Sequence, residues 1–218
     1  MANASVRVEG IKEILHSSMQ FRAFMANPEM ALRKTATILL GSFTRNFVEG
    51  GRPDKWKKLS PITPMLNKTL RGKKKIASWD DARAIADSVV PLRDSSALVL
   101  SLSPNKHTTE GAIYNIGKQS VEVGSSLPYA STQQNGGKVP FKWDAETQRR
   151  FKKNVAKPKK GKRGQVSGAF YYQMQNHFEK RDGTSSDIPA RPFIVVRQDD
   201  LDNIEKVWIE EAKKFFNR

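Results

Sequence analysis

DIPARPFIVV, residues 187–196, decides how the C-terminal half of this chain is read. Pro189 and Pro192 fix their own φ and push Ile188 and Arg191 out of the helical region, so the chain must enter extended. Phe193, Ile194, Val195 and Val196 are the aromatic and β-branched residues that fill a buried strand, and a paired strand is expected from Pro192 to Val196. Directly after it, Asp199 and Asp200 offer an N-cap. Leu201, Ile204, Trp208, Ala212 and Phe215 then recur at helical spacing over about 200–216, with Lys213, Lys214 and Arg218 near the negative end of the dipole. The chain should close on a strand that runs into an amphipathic helix.

A second helix is equally plain near the other end. Asn27-Pro28-Glu29 offers a capping side chain, a proline at the first helical position and an acid in the first turn. Leu32, Ala36, Leu39, Leu40, Phe43 and Phe47 follow at spacings of three and four, until Gly50-Gly51 stops the helix. This stripe is read as core-facing, on a helix over about 28–48. Residues 1–27 read as an N-terminal arm or helix, with weaker periodicity through Ile11, Ile14, Leu15 and Phe21. Between the long helices the texture turns strand-like at Gly111–Ile116 and Ser120–Gly124, with glycine and serine between. Leu92–Leu102 fits either a short helix or a strand.

The expected fold is α+β, with two long helices (about 28–48 and 200–216) packed on a small, mostly antiparallel β-sheet. It forms one domain over 28–218 that carries a basic insertion at about 144–186. That insertion is lysine-rich and polar apart from the island Ala169-Phe170-Tyr171-Tyr172, and is read as a long loop excursion whose basic part is mobile unless a partner orders it. Asp80-Asp81 is expected to cap a short segment Ala82–Val89, and Asn135-Gly136-Gly137-Lys138 to form a turn.

With 218 residues, 38% of them hydrophobic, the chain has enough material for a real but not a rich core. No apolar run is long enough to span a bilayer and the first residues have no secretory character, so a soluble protein made in the cytoplasm is expected. The absence of cysteine excludes disulfides, thiolate catalysis and cysteine-ligated metals. The three histidines (His16, His107, His177) stand alone, no glycine run has phosphate-loop spacing, and neighbouring aspartates point in different directions. No local motif proposes a nucleophile with its base. The expectation is a protein that is not an enzyme, with no cofactor and no metal.

Charge is the loudest signal. The net charge is +16, from 38 basic and 22 acidic residues, which implies a polyanionic or acidic neighbour. Arg149, Arg150, Lys152, Lys153, Lys157, Lys159, Lys160, Lys162 and Arg163 follow one another with no acid between them, and Lys68, Arg71, Lys73, Lys74 and Lys75 form a smaller cluster. The first group is the candidate contact to DNA or to an acidic partner, through salt-sensitive phosphate neutralisation or docking on an acidic surface. Phe151, Phe170, Tyr171 and Tyr172 flank it as possible stacking platforms for bases.

Four segments taken in order carry a resemblance. They are Phe47 through Gly50-Gly51-Arg52-Pro53 to Trp56-Lys57-Lys58-Leu59-Ser60-Pro61-Ile62-Thr63; Leu92-Arg93-Asp94-Ser95-Ser96-Ala97-Leu98; Val121-Glu122-Val123-Gly124 with Pro128-Tyr129-Ala130; and Ile188-Pro189-Ala190-Arg191-Pro192-Phe193. The succession resembles the phage virion morphogenesis family, the tail completion proteins of Mu-like and related tailed phages, over roughly residues 28–210. Two departures stand out: Gln133-Gln134-Asn135-Gly136 where that family often has His-Q-x-G, and Ser96 where a glycine is usual.

The resemblance implies a structural virion protein at the neck or tail terminus, completing the tail and helping join it to the DNA-filled head. Its partners would be other neck and tail proteins, the tail tube and the head–tail connector. It also implies a homo-oligomeric ring, a hexamer being the leading expectation, with contact to packaged DNA, no membrane, and location in the virion after assembly in the host cytoplasm. Trp56, Tyr129, Arg191 and Phe193 are the structural or interface residues it singles out. Arg191, stiffened between Ala190 and Pro192, is the residue to test for a fixed salt bridge within or between subunits, against the status of a solvated charge. The alternative is a basic DNA- or RNA-binding accessory protein that works through residues 149–163.

Overall fold

The computed structural model describes residues 11–67, 75–92, 96–103, 110–157 and 167–216. Its elements in chain order are α1 (Ile11–Ala26), α2 (Glu29–Glu49), α3 (Thr63–Leu66), α4 (Trp79–Ser88), α5 (Ala97–Ser101), β1 (Ala112–Ile116), β2 (Val121–Ser125), α6 (Ala130–Asn135), β3 (Gly137–Pro140), α7 (Ala145–Asn154), α8 (Ser167–Lys180), β4 (Ser185–Ile188) and α9 (Gln198–Phe216). The fold class is α+β, as expected, but the strands form two separate antiparallel pairs, β1–β2 and β3–β4.

The first core is organised by α2, which packs against α9 and against β1 and β2. Its buried Leu40, Phe43 and Phe47 meet Trp56, Leu98, Leu102, Ala130 and Phe193. Each leucine or phenylalanine among them contributes about 1.5–3 kcal/mol by leaving water. Pro28, with no side-chain capping bond, occupies the N-cap of α2 in place of Asn27, and Gly50 ends the helix at φ 72°. A glycine accepts that left-handed conformation at least cost. Within the ambiguous Leu92–Leu102, residues 97–101 form the short helix α5, with Leu98 in the helix and Leu102 at its C-cap both buried. In α1, Phe24 meets Trp208 of α9 edge to face at 5.8 Å, and the Trp208 indole donates to Thr35 Oγ1 at 3.0 Å. Leu201, read as part of the α9 stripe, is instead 49% exposed.

A polar chain locks α2 to the start of α9. Asp200 Oδ2 accepts the backbone N–H of Arg197 at 3.0 Å and the Ser42 hydroxyl at 2.8 Å. Asp200 thus acts from inside the first turn, reaching back to the residue before the helix as in a capping box. Arg52 donates to Ser42 O and Ser42 Oγ and to Asn46 Oδ1, and Asn46 Nδ2 donates to Phe193 O at 2.9 Å.

The segment after Pro192 departs from expectation. It is extended and places Phe193 in the core at 1% exposure, yet it belongs to no strand. The paired strand β4 lies earlier, at Ser185–Ile188, where it runs against Gly137–Pro140 of β3. Side chains take the place of a neighbouring strand. Gln134 Oε1 accepts from Phe193 N and Ile194 N at 2.9 and 3.0 Å, Gln134 Nε2 donates to Ile194 O at 3.1 Å, and the Trp56 indole donates to Pro192 O at 2.9 Å. The backbone polar groups are satisfied, which burial demands, without a ladder.

The larger correction concerns residues 144–186. Where a loop excursion was expected, its described parts, 144–157 and 167–186, hold α7, α8 and β4 and help build a second core of Met65, Ile76, Ala82, Trp143, Phe151, Val155, Phe170, Tyr171, Met174 and Phe178, while the lysines at 158–166 lie outside the described residues. Asp144 caps α7 by accepting from Thr147 N. Trp143 stacks on Phe178 at 5.2 Å, and Phe151 meets Tyr171 at 5.0 Å. Ile76 bridges to Val155 in parallel. Asn154 Nδ2 donates to the carbonyls of Pro64, Met65 and Asn67, holding α3 against the end of α7. Ser78 is the cap of α4, one turn ahead of the expected Asp80-Asp81, and Asp81 accepts from Ala77 N.

Candidate functional site

Between the two cores runs a cleft of about 1090 Å³. One wall comes from residues 57–67 and 89–92, the other from Phe141, Arg150 and Arg181 and from the β4 segment Ser186–Pro189, with Gln133 and Arg191 reaching it from the first core. The wall residues Leu59, Ile62, Val90, Phe141 and Ile188 are apolar, and the charged lining residues are Lys57, Lys58, Arg150, Arg181 and Arg191 against the single acid Asp187.

Arg191 is the notable member. Only 5% of it is exposed, and its guanidinium meets neutral oxygens at long range, with Nε donating to Lys57 O at 3.3 Å and Nη1 to Gln133 Oε1 at 3.4 Å. None of the ion pairs among the described residues involves it. A fixed salt bridge within the subunit is therefore not formed among these residues. Burial lowers the Arg191 pKa below its ordinary value, because a desolvated cation is disfavoured. Its backbone is held by N–H donation to Gln133 O at 2.8 Å. Across the cleft, Arg181 donates to Ser186 Oγ at 2.7 Å and lies 5.5 Å from the Phe141 ring centroid, which orients its head without neutralising it.

The sequence-expected basic residues fall into three groups. Arg149 and Arg150 sit on α7 and both pair with Glu146, at 2.7 and 3.0 Å, and these contacts, the Arg150 hydrogen bond first, lower the Glu146 pKa. Lys152, Lys153 and Lys157 are exposed. Lys159, Lys160, Lys162 and Arg163 lie outside the described residues, as do Lys68, Arg71, Lys73, Lys74 and His107. Of the aromatic platforms, Phe151, Phe170 and Tyr171 are buried in the second core and are closed to stacking on bases, while Tyr172 is 58% exposed. Trp56 and Phe193 are core residues at 7% and 1% exposure, and Tyr129 is 41% exposed before α6.

Sequence reading brought Arg150 and Arg191 forward separately and missed Arg181, Lys57 and the cleft that unites them. No group of three or more metal-ligating side chains is found among the described residues, and no helix among them is long and apolar enough to cross a membrane. No protein-family model matches the chain, and no curated protein and no solved structure matches it significantly.

Proposed function

We propose that this chain is a structural assembly protein of the neck or tail terminus of a tailed phage, completing the tail and helping join it to the DNA-filled head. The observation that carries the reading is the convergence of the four resembling segments, which are far apart in sequence, on one core. Phe47 meets Trp56 and Phe193 at ring distances of 5.5 Å each, Leu98 and Ala130 join them, and a Cβ on Gly124 would sit 4.0 Å from Ile194.

One departure from the family pattern, and the matching residues beside the other, fall where geometry gives them meaning. Ser96, standing where glycine is usual, has φ 58°, the left-handed region that favours glycine. Gln134 and Gly136, which match the Q and G of His-Q-x-G, hold the segment around Phe193. Gln134 does so by its amide, and Gly136 by an approach in which a Cβ would come within 2.8 Å of Ala190 N and 2.9 Å of Ile188 O. These are reasons for such residues to recur in one order.

On this reading the subunit forms a ring with copies of itself, each copy meeting its neighbour through two different patches. Its exposed basic α7 residues face packaged DNA or an acidic neck protein. The test is electron microscopy of the purified chain incubated with tail tubes that lack their completion protein, alongside light scattering of the free chain. Rings capping the tubes are expected. A monomer that binds bare duplex tightly and salt-sensitively, with no affinity for the tubes, would replace the proposal with a nucleic-acid-binding accessory role.

A further inference from the structure

We infer that the cleft between the two cores receives an extended acidic segment of another protein, added as a strand along the free edge of β4 with a carboxylate seated on Arg191. The backbone of β4 leaves one edge open to such a strand. Phe141 N donates to Thr184 O at 2.8 Å, and the register pairs Val139 with Ser186, Lys138 with Asp187 and Gly137 with Ile188. Bonded and non-bonded pairs alternate in an antiparallel ladder, so the bonds fall at Ser186 and Ile188. Asp187 therefore turns its N–H and C=O to the opposite edge. Pro140, which has no N–H, falls on a non-bonded pair, in agreement with that alternation.

Ser186, Asp187 and Ile188 all line the cleft, so this edge, which has no backbone partner among the described residues, opens into it. A strand docked there would present alternate side chains to alternate sides. One set meets apolar Leu59, Ile62 and Val90, and the other reaches the cations.

A buried cation is costly unless an anion meets it, and Arg191 is 5% exposed with only distant neutral acceptors. Its planar fork suits a carboxylate. Lys57 and Arg181 add attraction at the rim, where Arg150 is already paired with Glu146. Apolar walls beside the cations favour a peptide over a nucleic-acid strand, whose anionic backbone has no apolar side chains to fill them. Such a segment would be received whether or not the chain belongs to a virion.

The test is fluorescence anisotropy with the full chain and a labelled short peptide of alternating glutamate and leucine. Its companions are a glutamine–leucine version, a version N-methylated at alternate residues, and a single-stranded oligonucleotide. The glutamate peptide should bind. The glutamine and N-methylated peptides, and the Arg191→Gln protein, should each bind at least about tenfold more weakly. Circular dichroism reports whether Arg191→Gln is folded, and Lys57→Gln, at an exposed rim position, should weaken binding several-fold in any case. Absence of binding, or equal affinity for the glutamate and glutamine peptides, would overturn the inference. So would undiminished binding of the N-methylated peptide, or binding of the oligonucleotide alone in a manner sensitive to Lys57→Gln.

Discussion

One oxygen of Gln134 holds two successive amides of the chain around Phe193. Oε1 accepts from Phe193 N at 2.9 Å and from Ile194 N at 3.0 Å, while Nε2 of the same side chain donates to Ile194 O at 3.1 Å. A single glutamine does here what a neighbouring strand would do. Gln134→Ala should therefore destabilise the protein by about 2–3 kcal/mol, since buried donors lose their acceptor. Urea unfolding will measure it, and a loss within about 0.5 kcal/mol, as at an ordinary surface site, would show that water replaces the amide freely.

Trp56 is bound both by packing and by its indole N–H, which donates to Pro192 O at 2.9 Å. Trp56→Ala and Phe193→Ala should each cost about 3–5 kcal/mol. Trp56→Phe keeps the ring against Phe47 but strands the Pro192 carbonyl, and should cost about 1–3 kcal/mol. Thermal and urea midpoints should rank Phe above Ala at this position.

The second core gives the opposite forecast for two kinds of change within the same ten-residue helix. Phe151→Ala in α7 should cost about 3–5 kcal/mol. Replacing Arg149, Arg150, Lys152 and Lys153 together by glutamine should change stability by only about 1 kcal/mol, because the pairs to Glu146 are solvent-exposed. If the proposed role holds, that quadruple variant stays folded by circular dichroism but caps tail tubes poorly. Unfolding of the quadruple variant would mean that the lysine stems pack.

Glu211 is 5% exposed and lies between two ammonium groups, Lys214 at 2.6 Å and Lys34 at 2.7 Å. Their hydrogen bonds, that from Lys214 first, lower its pKa. A carboxylate with a depressed folded pKa contributes stability that is present above its unfolded value of about 4.3 and is lost as pH falls through the lower folded value. Glu211→Gln should lower stability at pH 7 by about 1 kcal/mol and flatten the acid limb of the stability profile. Unfolding followed between neutral pH and pH 3 will show whether that limb changes slope.

Sequence reading succeeded where one element carries its own periodicity. The α2 stripe from Leu32 to Phe47 and the strand signals at Gly111–Ile116 and Ser120–Gly124, within a residue of β1 and β2 at each end, needed no partner to be recognised. It failed where the partner decides. Pro192–Val196 has every strand preference, but the neighbours it meets are the side chains of Gln134, Asn46 and Trp56, which no local pattern announces. The α8 helix was hidden by composition, as the lysines before it drew attention from Phe170, Met174 and Phe178, which recur every four residues and mark a buried face. The cleft was invisible for a geometric reason: Lys57, Arg150, Arg181 and Arg191 become neighbours only when both cores are in place.

The two cores also differ in when they can be finished. Every member of the second lies between Met65 and Phe178, whereas the first needs Phe193, and α9 behind it, to close over residues as early as Leu40. During vectorial synthesis the interior of the chain can therefore consolidate first. The α2 helix, made long before Phe193 and α9, has to wait with its apolar face uncovered until they leave the ribosome.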